Sequence, residues 1–453
     1  MSRPTPPRRR QLLWGWGRRP VSAADVVVAR DEADVELSGV GPRGALARGL
    51  GRSYGDAALN AGGVVYDLTR LTGIRRLDPE AGTVTVAAGT SIDALLRALV
   101  PLGWFVPVTP GTRMVTVGGA IAADVHGKNH HRDGSFTRHV RSLRLIPPAD
   151  GPREVTPDSD PELFAATAGG MGLTGIITEA TFELVPIRTS LMRVDTERAK
   201  DLDDALARMT ARDDRYRYAV AWIDLLARGR SLGRSVLTRG DHAEPDDLEP
   251  AARHDPLRYA PSTRLRVPPG VPSGLLTRAA VRVFNEAWYA KARRREGQLL
   301  SIPAFFHPLD GVAEWNRAYG ARGFLQYQLV VPFGQEATLR AIVERLAAAQ
   351  APSFLTVLKR FGRGDVGHLS FPLPGWTLTL DLPLGMPGLA RMLAQFDEQV
   401  AEAGGRVYLA KDSRLSREVL RAMYPRLDAF RAVRDRVDPD RVLVSDLARR
   451  LQL

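Results

Sequence analysis

Short apolar runs separated by turns dominate the chain from residue 45 to residue 185. The runs at 45–48, 64–67, 74–77, 83–87, 105–108, 140–146 and 176–185 are predicted to be β-strands. Helical spacing of apolar residues predicts helices at 91–99 and 161–168. Because these strands and helices do not alternate regularly, the pattern predicts an α+β domain.

The pattern changes after residue 188, where longer apolar strands alternate with amphipathic helices. Strands are predicted at 219–225, 324–331, 354–358 and 376–382, and helices at 335–349 and 388–403. These elements predict a second domain, one antiparallel sheet backed by helices. A strand at 406–410 and further helices complete the chain.

Two segments of this second part, 255–273 and 306–322, lack a regular pattern. We expect both to be mobile loops, because loops of this length are usually functional lids or disordered.

Composition places the 453-residue chain among soluble globular proteins, since 44% of its residues are hydrophobic and 25% are charged. The chain has no cysteine, which excludes disulfides, thiolate metal sites, cysteine nucleophiles and a thiol-linked flavin. The net charge of +12 favours an anionic partner, such as nucleic acid, a phosphorylated substrate or an acidic membrane surface. The arginine preference of a GC-rich genome explains this charge equally well.

The N-terminus is basic but has no apolar stretch of signal-peptide length, so we expect no cleaved export signal. No apolar run of about 18 residues occurs in the sequence, which argues against a membrane-spanning helix. Trp14 and Trp16 stand beside arginines, which fits a membrane interface or, equally, a packed strand.

The stretch 110–136 combines paired glycines, Gly118 and Gly119, with a histidine-rich turn. Glycine permits positive φ and close approach of the backbone, so we predict a loop whose N–H groups face a cofactor. The turn RGLGRS at 48–53 likewise predicts a nest of N–H groups around a pyrophosphate.

Two short motifs resemble known functional patterns but stand in the wrong context. Residues 170–175 match G-x-G-x-x-G, but a helix precedes them and a strand follows, the reverse of a dinucleotide-binding site. Residues 51–55 match G-x-S-x-G, but a loop rather than a helix follows, which argues against a hydrolase.

Four histidines suggest a metal cluster: His126, His130, His131 and His139. No carboxylate stands at H-E-x-x-H spacing, and glycines interrupt the helix that this spacing needs. A single histidine acting as donor or base near a cofactor is the better interpretation.

Five longer strings occur in one order along the chain. They are RGLGRSYGD at 48–56, PGTRMVTVGGAIA at 110–122, HGKNHH at 126–131, GLTGII at 172–177 and AKDSR at 410–414. In this order they resemble the vanillyl-alcohol-oxidase-type FAD flavoproteins, and the similarity runs nearly end to end, including FLQYQ at 324–328 and LSFPLPGW at 369–376. The resemblance implies a two-domain α+β fold with a PCMH-type FAD-binding domain at 1–187 and a substrate-binding domain at 188–404. Residues 405–453 would complete the FAD domain.

By this resemblance, the glycine-rich turns hold FAD through its diphosphate, with Ile176 or Ile177 on the adenine side and Tyr408 along the flavin. The implied FAD-binding residues are Arg48, Gly49, Gly51, Arg52, Ser53, Tyr54, Gly55, Gly111, Thr116, Val117, Gly118, Gly119, Ala123, His126, Ile176, Ile177 and Tyr408. Many relatives bond the flavin covalently to a histidine at the position of Tyr54. Because this chain has tyrosine there and no cysteine, we expect non-covalent FAD.

Within this family, the chain most resembles a branch that oxidises the 2′-hydroxyl of a polyprenyl-phosphate ribose. Lys411 matches the essential lysine of that branch, and Tyr54 and His126 compete with it as candidate catalytic residues. The implied substrate-binding residues are Gln326, Gln328, Lys359, Trp222, Phe306, Thr377, Thr379 and Lys411. Thr377 and Thr379 stand where better-known members carry asparagine and cysteine.

The resemblance also implies partners: a polyprenyl-phosphate sugar as substrate, an NADH-dependent keto-sugar reductase and a membrane surface. Arginines at 253–266 and 293–295 would attract lipid headgroups or the lipid phosphate. We expect membrane association at the cytoplasmic face, with the periplasmic face left open. The alternative is a sugar or aldonolactone oxidase that acts on a small soluble polyol, because it shares the FAD strings. No nucleic-acid-binding motif is present, so nucleic acid is not an expected partner.

Overall fold

The computed structural model describes residues 6–274, 276–364 and 366–453. The strands of its first part are β1 (Arg9–Trp14), β2 (Val21–Val28), β3 (Ala45–Arg48), β4 (Val64–Asp67), β5 (Ile74–Asp78), β6 (Thr83–Ala87), β7 (Trp104–Phe105), β8 (Val140–Ile146), β9 (Arg153–Val155), β10 (Ile176–Glu183) and β11 (Val185–Pro186). Its helices are α1 (Ile92–Leu99), α2 (Val117–Ala122), α3 (His130–Asp133) and α4 (Pro161–Thr167).

The second part and the C-terminal tail continue this order. Their strands are β12 (Leu191–Ala199), β13 (Tyr218–Ile223), β14 (Ser235–His242), β15 (Leu265–Arg266), β16 (Arg295–Ser301), β17 (Val312–Ala313), β18 (Phe324–Pro332), β19 (Thr356–Phe361), β20 (Gly375–Pro383) and β21 (Arg406–Val407). Their helices are α5 (Leu202–Arg212), α6 (Arg278–Lys291), α7 (Ile302–Phe306), α8 (Glu336–Ala349), α9 (Leu389–Glu402), α10 (Arg417–Met423), α11 (Leu427–Val437) and α12 (Asp446–Leu451).

Two sheets form the framework of the first part. One has the order β1-β2-β4-β3, with β1 and β2 antiparallel and the remaining pairs parallel. The other, β5-β6-β10-β8-β9, is antiparallel throughout. Helix α1 forms because its leucines and isoleucine recur at helical spacing and are buried, and because Ser91 caps it by accepting the Ala94 N–H at 3.1 Å. The predicted α+β class is confirmed.

An antiparallel sheet dominates the second part, in the order β16-β12-β14-β13-β19-β20-β18-β21 over the residues that the structure describes. Helices α8 and α9 pack on strand β18 and on each other, so they cover one face of this sheet. The buried side chains of α8, among them Leu339, Ile342 and Leu346, supply the apolar contact. Its opposite face is free to line a cavity.

The C-terminal tail contacts both parts of the molecule. Strand β21 pairs with β18 at the edge of the large sheet. Helix α11 packs on α4, and the buried Leu443 joins a core cluster with residues of β2, β3 and β4. The boundary at residue 405 therefore stays a prediction, because the tail extends the second sheet before it reaches the first domain.

Sequence patterning missed several elements of the fold. Strands β1, β2, β12, β14 and β16 and helices α5 and α6 were not predicted, and the strand expected at 105–108 is limited to Trp104–Phe105. The strand expected at 406–410 ends at Val407, where a 3-10 helix, Leu409–Lys411, follows. The predicted loop at 110–136 contains the short helix α2, because Thr116 caps it by accepting the Gly119 N–H at 3.2 Å.

Segment 306–322, expected to be a mobile loop without a regular pattern, has local structure and buried side chains. This segment forms short helical turns and buries Phe306, Asp310 and Tyr319. Asp310 explains the order, because its carboxylate accepts hydrogen bonds from the Thr112 hydroxyl at 2.7 Å and the Arg113 N–H at 2.8 Å. By contrast, segment 255–273 has little regular structure besides β15.

Of the two N-terminal tryptophans, Trp16 packs inside the protein. The Arg52 guanidinium carbon lies 3.9 Å from the centre of its ring, and Trp315 meets it edge-on at 5.9 Å. Trp14, in β1, is 46% exposed. Trp16 is therefore packed against protein side chains, although β1 ends before it, at Trp14. Among the described residues, no helix combines the length and the apolar character needed to cross a bilayer.

Candidate active site

A cavity of about 1010 Å³ lies where the free face of the large sheet meets the first domain. Three parts of the chain supply its walls: the glycine-rich turns near residues 47–58 and 109–128, the large sheet with its neighbouring segments, and the beginning of the tail at 408–411. Most of the site residues predicted from sequence line it. They are Arg48, Gly49, Gly51, Arg52, Ser53, Tyr54, Gly111, Thr116, Gly118, Gly119, Ala123, His126, Ile177, Trp222, Phe306, Gln326, Gln328, Lys359, Thr379, Tyr408 and Lys411.

One end of the cavity is built from glycines and arginines. A β-carbon on Gly49 would lie 2.2 Å from Thr116 Oγ1, so only glycine allows the two turns to meet this closely. The Arg48 guanidinium donates to Ala58 O at 2.7 Å, and that of Arg52 donates to Leu50 O at 2.8 Å. Both arginines are therefore held in place by main-chain carbonyls, and neither forms an ion pair with a carboxylate among the described residues. A wall of this kind suits the diphosphate of a nucleotide cofactor.

At the other end, backbone hydrogen bonds join strings that are far apart in sequence. The Tyr54 N–H donates to Ala410 O at 3.0 Å. The Tyr408 N–H donates to Gln328 O at 3.0 Å, and its hydroxyl donates to Ala123 O at 2.7 Å. These contacts place Lys411 beside the glycine-rich wall.

The three candidate catalytic residues differ in protonation. Burial, reinforced by the charge of Lys359, lowers the pKa of Lys411 to about 7, although Asp381 opposes the shift. Burial raises the pKa of Tyr54 well above its usual value, so its hydroxyl keeps its proton. Burial, with Lys359 and Lys411, holds the pKa of His126 well below its usual range, so the imidazole is neutral. Of the three, Lys411 is the one that can exchange a proton near neutral pH.

His126 and Gln328 form a pair with unused hydrogen-bonding capacity. The Gln328 amide nitrogen lies 2.9 Å from His126 Nε2 and donates to the Thr377 hydroxyl at 3.0 Å. Within the described part of the chain, His126 Nδ1 and Gln328 Oε1 are buried without a partner. Since Nε2 accepts from the amide, Nδ1 carries the proton of the neutral ring. A ligand edge with both an acceptor and a donor, such as that of a flavin ring, fits this pair.

The large sheet supplies a wall that changes from apolar to polar. Cross-strand pairing aligns Trp222 with Val357, Val357 with Thr379, and Thr379 with Gln328. Lys359 follows Val357 by two residues and so projects from the same face of β19. Phe306 borders the cavity but is largely a core residue, since its ring meets that of Tyr218 edge-on at 4.8 Å.

Four of the predicted site residues do not line the cavity and support it from behind. Gly55 packs against the backbone of Asp412, and Val117 is part of the main core. Ile176 is buried in a second core cluster, whereas Ile177 reaches the cavity. Thr377 lies behind Gln328, where its hydroxyl donates to Leu329 O at 2.8 Å.

The histidine-rich turn does not gather its side chains at one point. The His130 Nδ1 accepts the Gly362 N–H at 3.2 Å, and His131 Nε2 lies 3.0 Å from Tyr216 O. His139 contacts Glu183 and the backbone of Asp133. Among the described residues, no group of three or more histidine, aspartate or glutamate side chains could hold a metal ion.

Sequence reasoning missed two charged residues at the site, Lys128 and Asp381. Lys128 lines the cavity, and its ammonium donates a hydrogen bond to Phe305 O. Asp381 is fully buried behind the cavity and accepts a hydrogen bond from the Gln326 amide at 2.6 Å and one from the Tyr319 hydroxyl at 3.3 Å. Burial raises its pKa to about 7. A lone acidic residue in the apolar run 376–382 was the available signal for Asp381.

Comparisons with known proteins agree with this geometry. Residues 42–156 match the family described as FAD binding domain, and residues 381–451 match D-arabinono-1,4-lactone oxidase. The chain is 43% identical to decaprenylphosphoryl-β-D-ribose oxidase of Mycolicibacterium smegmatis over 99% of its own length and 98% of that protein. It is 45% identical to an uncharacterized protein of Streptomyces coelicolor over 80% of its length and all of that protein.

A more distant similarity covers almost the whole chain. L-gulono-1,4-lactone dehydrogenase of Mycobacterium tuberculosis is 25% identical over 97% of this chain and 99% of that protein. The predicted FAD cofactor is confirmed by the matched FAD binding domain, which contains the glycine-rich wall of the cavity.

Proposed function

Because the chain belongs to the family of decaprenylphosphoryl-β-D-ribose oxidases, we propose that it oxidises decaprenylphosphoryl-β-D-ribofuranose to the 2′-keto sugar. This is the first half of the epimerisation that yields decaprenylphosphoryl arabinose for cell-wall arabinan. The observation that carries the proposal is the single cavity in which the FAD-binding wall, Lys411 and the polar end of the large sheet meet.

Bound FAD supplies the two-electron acceptor that oxidation of a hydroxyl to a ketone requires. The glycine-rich turns with Arg48 and Arg52 would hold its diphosphate, and His126 with Gln328 would hydrogen-bond its ring. Lys411, as the neutral amine, accepts the proton of the 2′-hydroxyl at Nζ.

Asp381 contributes to this chemistry from behind the cavity. Its carboxylate accepts a hydrogen bond from the Gln326 amide nitrogen and so fixes the orientation of that side chain. The Gln326 carbonyl oxygen is then available to a sugar hydroxyl. Tyr54, whose hydroxyl stays protonated, acts as a hydrogen-bond donor.

The mouth of the cavity suits a lipid-linked substrate at a membrane surface. Arg266, Arg293, Arg295 and Trp288 line it. Leu265, next to Arg266, is 68% exposed, and Val283, on the same helix as Trp288, is 69% exposed. Cationic side chains beside exposed apolar ones favour an interface with anionic lipids. We therefore place the enzyme at a membrane surface, with the polyprenyl chain leaving the cavity through this mouth.

The product is a ketone that a second enzyme must reduce to complete the epimerisation. An NADH-dependent keto-sugar reductase is the partner that this chemistry requires, because reduction at the opposite face of the carbonyl gives the arabinose epimer.

The decisive measurement is flavin absorbance near 450 nm under anaerobic conditions. Mixing the purified holoenzyme with decaprenylphosphoryl ribose should bleach the flavin in a single turnover, whereas free pentoses, polyols and aldonolactones should leave it oxidised. Rapid bleaching by a free polyol or a lactone would instead favour a small-molecule oxidase. That alternative draws its support from the match of residues 381–451 to D-arabinono-1,4-lactone oxidase.

The mode of FAD attachment has its own test. Tyr54 cannot form the histidine–flavin bond, and the chain has no cysteine, so precipitation with trichloroacetic acid should give a colourless pellet and a yellow supernatant. Flavin that remains in the pellet after washing with denaturant would contradict non-covalent binding.

A further inference from the structure

Three lysines border the cavity without a carboxylate partner. Lys128, Lys359 and Lys411 all line it, and over the residues that the structure describes none of them forms an ion pair. Burial lowers the pKa of Lys128 to about 7 and that of Lys359 to about 8. Burial therefore destabilises each ammonium group, and among the described residues only Asp381 offsets this in part, at Lys411.

The acidic groups near the cavity are already engaged elsewhere. Asp310 is bound by Thr112 and Arg113, and both oxygens of Asp381 accept hydrogen bonds, from Gln326 and Tyr319. Neither carboxylate is within ion-pair distance of a lysine among the described residues. The positive charge of this region is thus left for a ligand.

The three lysines have different aromatic neighbours in the wall of the cavity. The Lys128 ammonium lies 4.2 Å from the centre of the Phe305 ring, and that of Lys359 lies 5.7 Å from the centre of the Phe361 ring. Lys411 stands at the reacting end, 5.6 Å from the centre of the Tyr54 ring. The charge of Lys359 lowers the pKa of both Lys128 and Lys411, so Lys359 lies close to each of them. Lys128 and Lys359 therefore form a cationic pair next to the reacting end.

The proposed substrate carries a negative charge close to its reacting carbon. Its phosphodiester is attached to C1 of the ribose, next to the C2 carbon that is oxidised. Arg48 and Arg52, in the glycine-rich turn at 48–53, would hold the FAD diphosphate, so this diphosphate would not compete for Lys128 and Lys359.

We propose that Lys128 and Lys359 bind the phosphodiester group of the substrate and so place the 2′-hydroxyl at Lys411. This assignment rests on the proposed function. Lys128 reaches the site from the turn after α2, and Lys359 reaches it from β19. The anion therefore connects the FAD domain to the large sheet.

The test compares two ligands that lack the 2′-hydroxyl and so cannot reduce the flavin: a short-chain polyprenylphosphoryl 2′-deoxyribofuranose and its uncharged methylphosphonate analogue. Dissociation constants are measured with the oxidised holoenzyme from the change in flavin absorbance. The wild-type protein should bind the anionic ligand about 10- to 100-fold more tightly than the neutral one. Lys359→Met and Lys128→Met should each remove most of that preference and leave the affinity for the neutral ligand nearly unchanged.

Lys200→Met is the matched control, because Lys200 is exposed and distant in sequence from the cavity residues. It should keep the full preference, and the ratio of absorbance at 450 nm to 280 nm confirms that each variant retains FAD. A wild-type protein that binds both ligands equally would overturn the assignment without any variant. Lysine variants whose affinity falls equally for both ligands would also overturn the assignment.

These outcomes are distinct from failure of the proposed function. If decaprenylphosphoryl ribose bleaches the flavin but the lysine variants keep the charge preference, the phosphate site is wrong and the function stands. If the phosphoryl sugar does not bleach the flavin and a free polyol does, the function itself is wrong, and the phosphate assignment falls with it.

Discussion

Replacing Lys411 with methionine is expected to slow anaerobic flavin reduction by about 10³-fold while FAD stays bound, because positioned proton transfer contributes about 10²–10⁴-fold. Methionine keeps most of the volume of lysine but can neither accept a proton nor carry charge. Stopped-flow absorbance with decaprenylphosphoryl ribose measures the rate constant directly. The same substitution at the exposed Lys200 should leave it unchanged.

The pH dependence of this step distinguishes a base from a fixed positive charge. Burial and Lys359 lower the pKa of Lys411 to about 7, so the neutral amine prevails above that pH. Flavin reduction should therefore become faster as pH rises and level off above about pH 8, with a rate at pH 6 about tenfold below the plateau.

The variant Lys411→Arg adds a second criterion. Arginine remains charged throughout this range, so it preserves the electrostatic effect but cannot act as base. If Lys411→Arg reduced flavin at the wild-type rate, or if the rate fell with rising pH, Lys411 would act through its charge and not as the proton acceptor.

Substituting alanine for Gly55 is expected to slow flavin reduction by about 10²-fold, the effect of a misplacement of about 1 Å in an active site. A β-carbon at this position would lie 1.8 Å from Asp412 O and 2.6 Å from its carbonyl carbon. Both are backbone atoms, so they cannot rotate away as a flexible side chain would. The segment that carries Lys411 must therefore move, although Gly55 itself does not line the cavity.

The free energy of unfolding of the Gly55→Ala protein should also fall, by about 1–3 kcal/mol, the usual effect of overpacking. Thermal unfolding followed by flavin fluorescence measures this loss. Gly41→Ala is the control, because a β-carbon on Gly41 has no atom within 4 Å. A Gly55→Ala protein with wild-type rate and unfolding temperature would show that the two segments are not in close contact.

Local patterns in the sequence were sufficient to predict an element where its own side chains stabilise it. Helix α1 and helix α8 were predicted within about one residue, because apolar residues at helical spacing face the core in both. The five strings shared with FAD flavoproteins also identified the glycine-rich part of the cavity wall and Lys411.

The features that sequence did not reveal depend on contacts between distant residues. Segment 306–322 is ordered because Asp310 binds Thr112 and Arg113, about 200 positions earlier. Asp381 is tolerated in a buried strand because Gln326 and Tyr319, on neighbouring segments, donate to it. None of these partner residues can be inferred from the sequence around the aspartate that it stabilises.

The separation along the chain between the glycine-rich turns and Lys411, about 350 residues, has a consequence for how the protein matures. The Tyr54 N–H donates a backbone hydrogen bond to Ala410 O, the Tyr408 N–H donates one to Gln328 O, and β21 pairs with β18 in the large sheet. During synthesis these contacts form only after residue 411 has left the ribosome, although the glycine-rich turns emerge early. A nascent chain that ends before residue 406 should therefore bind FAD weakly. Cofactor loading and the appearance of the reactive lysine thus belong to the same step of maturation.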